Sequence, residues 1–153
     1  MKSDFEEVPG STKEEQAESD MPMKIAVILR QDLEPWQRLN VAAFTISGVA
    51  SQHGAVGMQY FDGDGNQYRP MFKDPVLVFG ASAEDMARAL ERGRSRTVPL
   101  SIFTEDLFGT FNDADNRAAI ARVPASALNV VGMAFRADRK TADKVLKGLK
   151  LLK

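Results

Sequence analysis

The sequence predicts an α/β protein with a three-layer α/β/α architecture, built on a mixed, mostly parallel sheet of four to five strands. Two observations predict it. Short apolar runs of strand length alternate with stretches that carry apolar residues at helical spacing, which is the pattern of a sheet covered by helices. The chain has 153 residues, of which 44% are hydrophobic, and this suffices for one buried core.

Strands are predicted where apolar runs are too short for a helix. The first is Lys24–Arg30, which has the composition of a buried strand. Further strands are predicted at 75–79, 98–103 and 129–135, and a hairpin at 58–61 and 67–69. Asp62–Asn66 forms the turn of this hairpin, because glycines beside Asp and Asn supply positive φ angles. Pro99 at the start of its strand suggests either a sheet edge or the entrance to a strand.

Helices are predicted from caps and from apolar spacing. Pro35 opens the first helix, and Gly48 keeps one flank small enough to lie close to the sheet. Its apolar stripe is expected at Leu39, Ala43, Ile46 and Ala50. Ser82 and Asp85 resemble a capping box for a second helix, and a short third helix is predicted at 113–122. Asp138 caps a final helix with the apolar stripe Ala142, Val145, Leu146 and Leu149.

The first 22 residues differ in charge from the rest. They hold seven acidic residues and two lysines, for a net charge of −5, whereas residues 23–153 hold 18 basic and 14 acidic residues, for +4. With one aromatic residue, this segment buries too little apolar area to offset its ordering entropy. We therefore predict a disordered acidic tail at 1–22 and a single domain at 23–153. Met21 and Met23 leave open a chain start at either residue.

The composition excludes several kinds of chemistry and location. Without cysteine there are no disulfides, thiolate metal sites or cysteine nucleophiles. No apolar run approaches the roughly 20 residues of a membrane span, and the N-terminus does not have the pattern of a signal peptide. We expect a cytoplasmic protein without membrane contact. Phosphate-binding glycine patterns are missing, so no nucleotide cofactor is expected.

Metal binding is not expected either. His53 is the only histidine, which leaves too few nitrogen ligands for zinc and suits a solvated helix terminus. Asp62–Asn66 superficially suggests a calcium loop. However, Gln67 and Lys73 stand where that loop requires glycine and glutamate, so a hairpin turn is the better interpretation.

Candidate catalytic and binding residues are sought just after the strands, because ligands of such sheets bind at the carboxyl ends of the strands. The densest polar segment is Thr104–Thr110, in which Glu105 and Asp106 are adjacent carboxylates. They could act as a general base or position a water molecule, and Glu105 is counted among the ligand-binding candidates. The alternative is that both carboxylates cap the turn and face solvent.

Several segments together resemble a known family. Ile25–Leu33 followed by Leu39–Ala43 resembles the opening of type II peptidyl-tRNA hydrolases, where an R-x-D-L strand end leads into a helix beginning G-K-x-A-A-Q. Asp106–Thr110 resembles their D-A-G-x-T segment, and 129–133 with 144–152 resembles their closing strand and helix. Residues 35–44, 70–72 and 103–106 resemble still more closely the bacterial DUF2000 family, which is assigned to that fold. The resemblance covers residues 23–153 and implies a type II peptidyl-tRNA hydrolase-like fold.

The departures from the hydrolase pattern bear on activity. Asn40 stands where the hydrolases carry lysine, and Phe44 stands where they carry glutamine. Thr45 and Ser47 replace the Cys and His that often follow. Losing an ammonium group and an amide changes both the charge and the shape of that site. The resemblance therefore implies the fold more firmly than it implies peptidyl-tRNA hydrolysis.

Two functions compete on these residues. In the hydrolase interpretation, Asp106 orients a water molecule, and Thr110 and Asn40 hydrogen-bond the reacting group. Arg30 or Arg38 would anchor an anion, and the substrate would be an ester or amide, including peptidyl-tRNA. This interpretation requires Asn40, Asp106 and Thr110 to lie within hydrogen-bonding reach of one another.

In the binding interpretation, Trp36, Phe44 and Phe108 form an apolar pocket for a small ligand or a peptide. We favour binding, or a chemistry other than that of the hydrolases, because the lysine is replaced.

The final helix is basic, so its face could meet the phosphates of tRNA. Its basic residues are Arg136, Arg139, Lys140, Lys144, Lys147, Lys150 and Lys153. We favour the alternative of a solvated helix whose late lysines complement its dipole. Candidate partners are therefore a small molecule, a peptide or tRNA, and a homodimer remains to be tested.

Overall fold

The structure is a computed structural model that describes residues 22–153. The predicted acidic tail lies outside the described residues except for Pro22. The strands in chain order are β1 (Met23–Arg30), β2 (Tyr60–Phe61), β3 (Gln67–Tyr68), β4 (Val76–Ala81), β5 (Ser101–Thr104), β6 (Val130–Asp138) and β7 (Lys150–Leu151). The helices are α1 (Pro35–Ala50), α2 (Ala83–Ser95), α3 (Asp113–Ala121) and α4 (Arg139–Val145), with 3-10 helices at Glu105–Gly109 and Ala125–Ala127.

Five strands form one mixed sheet in the order β5-β6-β1-β4-β7, and β2 with β3 forms a separate hairpin. The predicted mixed sheet of four to five strands is confirmed, but the expectation that it is mostly parallel is wrong. Only β1 and β4 pair in parallel, whereas β6 is antiparallel to β1 and β5, and β7 is antiparallel to β4. The physical reason is that α3 packs on the first 3-10 helix and not on the sheet, so β5 and β6 are not joined by a helical crossover.

Helices cover both faces of the sheet, so the three-layer architecture is confirmed. On one face, α1 packs on β6, β5 and β1 around Val27, Val41 and Val131. On the other face, α2 and α4 pack on the sheet around Ile28 and Phe135. The central strand β1 contributes to both cores, since Ile25 through Leu29 are all buried. None of the helices in this part of the chain is long and apolar enough to cross a membrane.

The stripe of α1 that faces the sheet differs from the predicted one. Val41, Thr45 and Val49 are buried at i, i+4 spacing, whereas Leu39 is 74% exposed. The prediction that Leu39, Ala43 and Ala50 face the core is wrong, because the helix is apolar on nearly all sides and its periodicity does not single out one face.

The final helix is shorter than expected. Asp138 caps α4 by accepting from Thr141 N at 2.9 Å, as predicted, and the stripe Ala142, Val145 and Leu146 is buried. The helix ends at Val145, because Gly148 with φ 82° turns the chain back toward β4. Lys150 and Leu151 then form β7. Lys147, Lys150 and Lys153 therefore do not lie on a helical face, and the predicted continuous basic helix is wrong.

Candidate functional site

The carboxyl ends of β1, β4 and β5 lie at the same edge of the sheet, where β6 begins. Arg30 is the last residue of β1, and Thr104 is the last residue of β5. Pairing of Thr104 with Val130 brings the start of β6 to this edge. Most of the predicted site residues belong to this edge or to the helix that follows β1.

Four polar residues form a hydrogen-bonded network at this edge. The Arg30 guanidinium donates from Nε and Nη2 to the two carboxylate oxygens of Asp32, at 3.0 and 2.8 Å. Its Nη1 donates to Asn129 Oδ1 at 2.9 Å, and Asn129 Nδ2 donates to Glu105 Oε2 at 2.9 Å. The hydrogen bonds and charge of Arg30 hold the pKa of Asp32 below its usual value. The network fixes the Arg30 side chain, of which only 12% is exposed.

Arg38 is held in a different way. Its Nη2 donates to the backbone oxygen of Gln31 at 2.9 Å, while its Nε is buried without a hydrogen-bonding partner in the described part of the chain. The side chain thus ties the first turn of α1 to the loop after β1. Arg30 and Arg38 have different partners, and only Arg30 belongs to the network at the strand ends.

The three residues of the hydrolase interpretation are not joined by hydrogen bonds in the described part of the chain. The single Thr110 Oγ1 proton is shared between two acceptors, Leu107 O at 2.9 Å and Asn116 Oδ1. Asn40 is exposed on α1, and Asp106 is exposed in the first 3-10 helix. The Thr110 hydroxyl is therefore occupied by local contacts, and no polar hollow is formed by hydrogen bonds among Asn40, Asp106 and Thr110.

Aromatic side chains do come together beside the network. Phe103 is buried in β5, and its ring centroid lies 5.0 Å from that of Phe108 and 5.8 Å from that of Phe44. Trp36 meets Phe108 edge to face at 5.8 Å. We call Trp36, Phe44, Phe103 and Phe108 the aromatic surface. Trp36 is 57% and Phe44 is 53% exposed, so large parts of both rings face solvent.

The exposed side of α1 extends this surface without any charge. Its residues are Trp36, Leu39, Asn40, Ala43, Phe44 and Ser47. Two local hydrogen bonds fix the start of the helix: Trp36 Nε1 donates to Glu34 Oε2 at 2.8 Å, and Glu34 N donates to Gln37 Oε1 at 2.9 Å. An exposed helix usually carries charged residues on its outer side, so an uncharged and partly aromatic face is a candidate for contact with another molecule.

The hairpin and the histidine have structural explanations. Asp62 accepts hydrogen bonds from the backbone N of Asp64 and Asn66 and from the side chains of Asn66 and Tyr68, all at 2.9 to 3.0 Å. These bonds, that of the Asn66 side chain first, lower the pKa of Asp62 to about 2. His53 is exposed after the end of α1. Between residues 22 and 153 no group of three or more His, Asp or Glu side chains is placed to hold a metal ion.

Three residues of this edge were not identified from the sequence. Phe103 was assigned to a strand, yet it joins Phe44 to Phe108. Its position directly before the polar segment 104–110 was the available signal. Asp32 and Asn129 carry the network around Arg30, and Asn129 offered no signal, because its role depends on how β6 pairs with its neighbours.

The fold and this edge define a three-layer α/β domain with a hydrogen-bonded arginine and an exposed aromatic surface at the strand ends. Residues 23–153 match the model of a family described as protein of unknown function (DUF2000), so the chain belongs to that family, as its sequence predicted. A solved protein of unknown function from Agrobacterium tumefaciens strain C58 is 43% identical, with a TM-score of 0.83. The match covers 86% of this chain and 98% of that protein. No curated protein matches the chain.

Proposed function

We propose that this protein is a binding domain whose aromatic surface takes an apolar peptide segment of a partner protein. The observation that carries the proposal is that Trp36 and Phe44 remain more than half exposed while Phe103 and Phe108 hold them in place. Exposed aromatic rings supply large contact area at low loss of side-chain entropy, and tryptophan is enriched among residues that dominate binding energy.

The openness of the aromatic surface supports a peptide over a small molecule. Small ligands are usually enclosed in concave pockets. Two surface cavities, of 340 and 190 Å³, are lined by residues other than Trp36, Phe44 and Phe108. The exposed residues of α1 from Trp36 to Ser47 carry no charge, so an apolar segment can cover them without desolvating a charge of that helix. The Glu34 carboxylate, bonded to Trp36 Nε1, lies at the rim of this area.

Hydrolysis of peptidyl-tRNA is the second candidate, and it rests on the likeness of Asp106 and Thr110 to the hydrolase pattern. The type II peptidyl-tRNA hydrolase-like fold belongs to this proposal as well. The geometry supports hydrolysis less well than binding. Thr110 is bonded to Asn116, Asp106 is exposed, and Asn40 offers no ammonium group.

Selection from a displayed library of random peptides tests the binding function. Each peptide is about 12 residues long, which suffices to span the outward side of α1. Peptides enriched on the protein should be rich in apolar residues, and binding should shift the fluorescence of Trp36, the only tryptophan of the chain. Phe44→Ala should weaken the selected peptides roughly 30-fold, the loss of about 2 kcal/mol typical of a dominant contact residue. Phe61→Ala is the matched control, because Phe61 is a similarly exposed ring on the hairpin.

Equal binding to the wild type and to the Phe44→Ala variant would remove the basis of this function. We also expect the protein to cleave peptidyl-tRNA no faster than buffer. Turnover that disappears in Asp106→Ala would instead establish the hydrolase.

A further inference from the structure

A cavity of 340 Å³ opens on the side of the sheet opposite to α1, at the same strand ends. It lies between α2 and the segment that leads into β6. Ala83 and Ala87 of α2 face Ala125, Ser126 and Ala127 across it. These small side chains cannot fill the space between the two elements, so the gap remains open.

The cavity has an apolar floor and a polar rim. Met86, Leu90 and Val130 form the floor and are almost completely buried in the core below. The polar and charged lining residues are Arg30, Glu91, Arg94, Ser126 and Asn129. A few polar groups around an apolar floor are typical of small-molecule sites, and the volume lies at the lower end of the range of about 300 to 1,000 Å³ for such sites.

Of the two cations in this lining, Arg30 has the more hydrogen bonds and is the less exposed. Its guanidinium carries five N–H donors, and its bonds to Asp32 and Asn129 use three of them. One N–H on each Nη atom is left without a partner among residues 22–153. Two such donors on one planar group match the two oxygens of a carboxylate. Since Asp32 and Asn129 already fix the guanidinium, little side-chain entropy is lost when a ligand binds.

We propose that this cavity binds a small monocarboxylate with an apolar body. The carboxylate meets Arg30, and the hydrocarbon part lies on Met86 and Leu90. Both cations of the lining already have a carboxylate nearby: Asp32 accepts from Arg30, and Glu91 Oε2 lies 4.0 Å from Arg94 Nη1. These carboxylates repel a phosphate dianion more strongly than a ligand with a single negative charge. The site is independent of the aromatic surface, whose rings do not line the cavity.

Backbone NMR of the full chain tests this inference with benzoate and hexanoate as probes. Benzamide and hexanamide are the matched uncharged controls, and inorganic phosphate is the third arm. Both carboxylates should shift the amide signals of residues 83–87 and 125–130 saturably, on the order of tenfold more tightly than their amides, since a charge-assisted hydrogen bond is lost in the amides. Arg30→Gln should weaken carboxylate binding by a similar factor.

A second variant keeps the test valid if Arg30→Gln does not fold. Ala87→Trp places a large side chain from an exposed position of α2 into the cavity and should abolish the shifts, whereas Ala118→Trp on exposed α3 should not. Trp36→Ala should also leave carboxylate binding unchanged, which separates this site from the aromatic surface. Equal binding of amides and carboxylates, tighter binding of phosphate, or unchanged binding in Ala87→Trp would overturn the inference.

Discussion

The contact of α1 with the sheet and the β2–β3 hairpin are held together by different interactions. Under α1, the Val41 side chain packs so closely on β6 that a Cβ atom on Gly132 would lie 2.2 Å from Val41 Cγ1. The hairpin has no buried residue from Met58 to Arg69. Its turn is held by the Asp62 carboxylate, which accepts hydrogen bonds from Asp64, Asn66 and Tyr68. One region depends on the fit of apolar atoms, and the other depends on hydrogen bonds around one charge.

The two kinds of interaction determine how far the effect of a substitution extends. Val41 is fully buried between α1 and β6, so a change in volume there must shift a helix or a central strand. The hairpin strands pair with each other and stand apart from the main sheet. A change in the hairpin should therefore be local, whereas a change under α1 should alter the stability of the whole domain.

The largest effect is expected from Gly132→Ala. The new methyl group meets Val41, whose β-branched side chain has little rotameric freedom in a helix. We expect the free energy of unfolding to fall by about 2 to 3 kcal/mol, at the upper part of the range for overpacked cores. Urea denaturation measures this loss, provided that the slope of the unfolding free energy against urea concentration is the same in the variant and the wild type.

The double variant Gly132→Ala with Val41→Ala identifies the cause. If the methyl group introduced at position 132 clashes with Val41, removing the valine methyls should recover at least about 1 kcal/mol relative to the sum of the single changes. Strictly additive losses would mean that the strain of Gly132→Ala lies elsewhere in β6.

A smaller effect is expected from Gly48→Ala at the other close approach of α1. The Cβ atom would lie 2.1 Å from Ser101 Oγ, which can rotate away, and 3.1 Å from Ser101 Cβ, which must shift slightly. Against this, alanine in a helix interior is favoured over glycine by about 1 kcal/mol. The two terms should nearly cancel in the unfolding free energy. In a Ser101→Ala background, Gly48→Ala should become stabilising, and a loss of stability in that background would contradict the role of the hydroxyl.

The smallest effect on global stability is expected in the hairpin, from Asn66→Ala. Removing the Asn66 amide should raise the pKa of Asp62 from about 2 toward 3.8, while the unfolding midpoint at neutral pH falls only slightly, because Asp62 is fully exposed and its interactions are screened by solvent. Because the folded-state pKa is lowered, the carboxylate stabilises the hairpin above about pH 4, and this is lost as the pH falls toward 2. The pKa of Asp62 is measured from its carboxyl chemical shift over a pH titration, in Asn66→Ala and in Tyr68→Phe. Tyr68→Phe should give a smaller rise, and an unchanged pKa in Asn66→Ala would reject the assignment.

Much of the fold was predictable from local sequence. Ser82 accepts from Asp85 N, Pro35 opens α1, and Pro99 precedes the edge strand β5, all as local rules indicate. Strand direction was not predictable, because the helical stretch at 113–121 looks like a crossover helix and yet packs outside the sheet layers. The turn at Gly148 was missed for a similar reason, since an apolar stripe continues past it to Leu149.

The candidate site was likewise predictable from the sequence only in part. Trp36 and Phe44 stand at i and i+8 in α1, so their shared exposure on one side of the helix could be inferred once the helix was placed. The network of Arg30 with Asn129 joins residues that are 99 positions apart. Such a contact depends on the antiparallel pairing of β6, which no local pattern reveals.

The short strand β7 has a consequence for how copies of this protein meet in a concentrated solution. It pairs with Phe79 and Gly80 of β4, and Leu152 N donates to Val78 O at 2.9 Å. The β4 segment Val76–Ala81 is uncharged and rich in β-forming residues, which is the composition that adds to strands of other molecules when its edge is open. The pairing of Lys150 and Leu151 therefore occupies an edge from which intermolecular aggregation would otherwise begin.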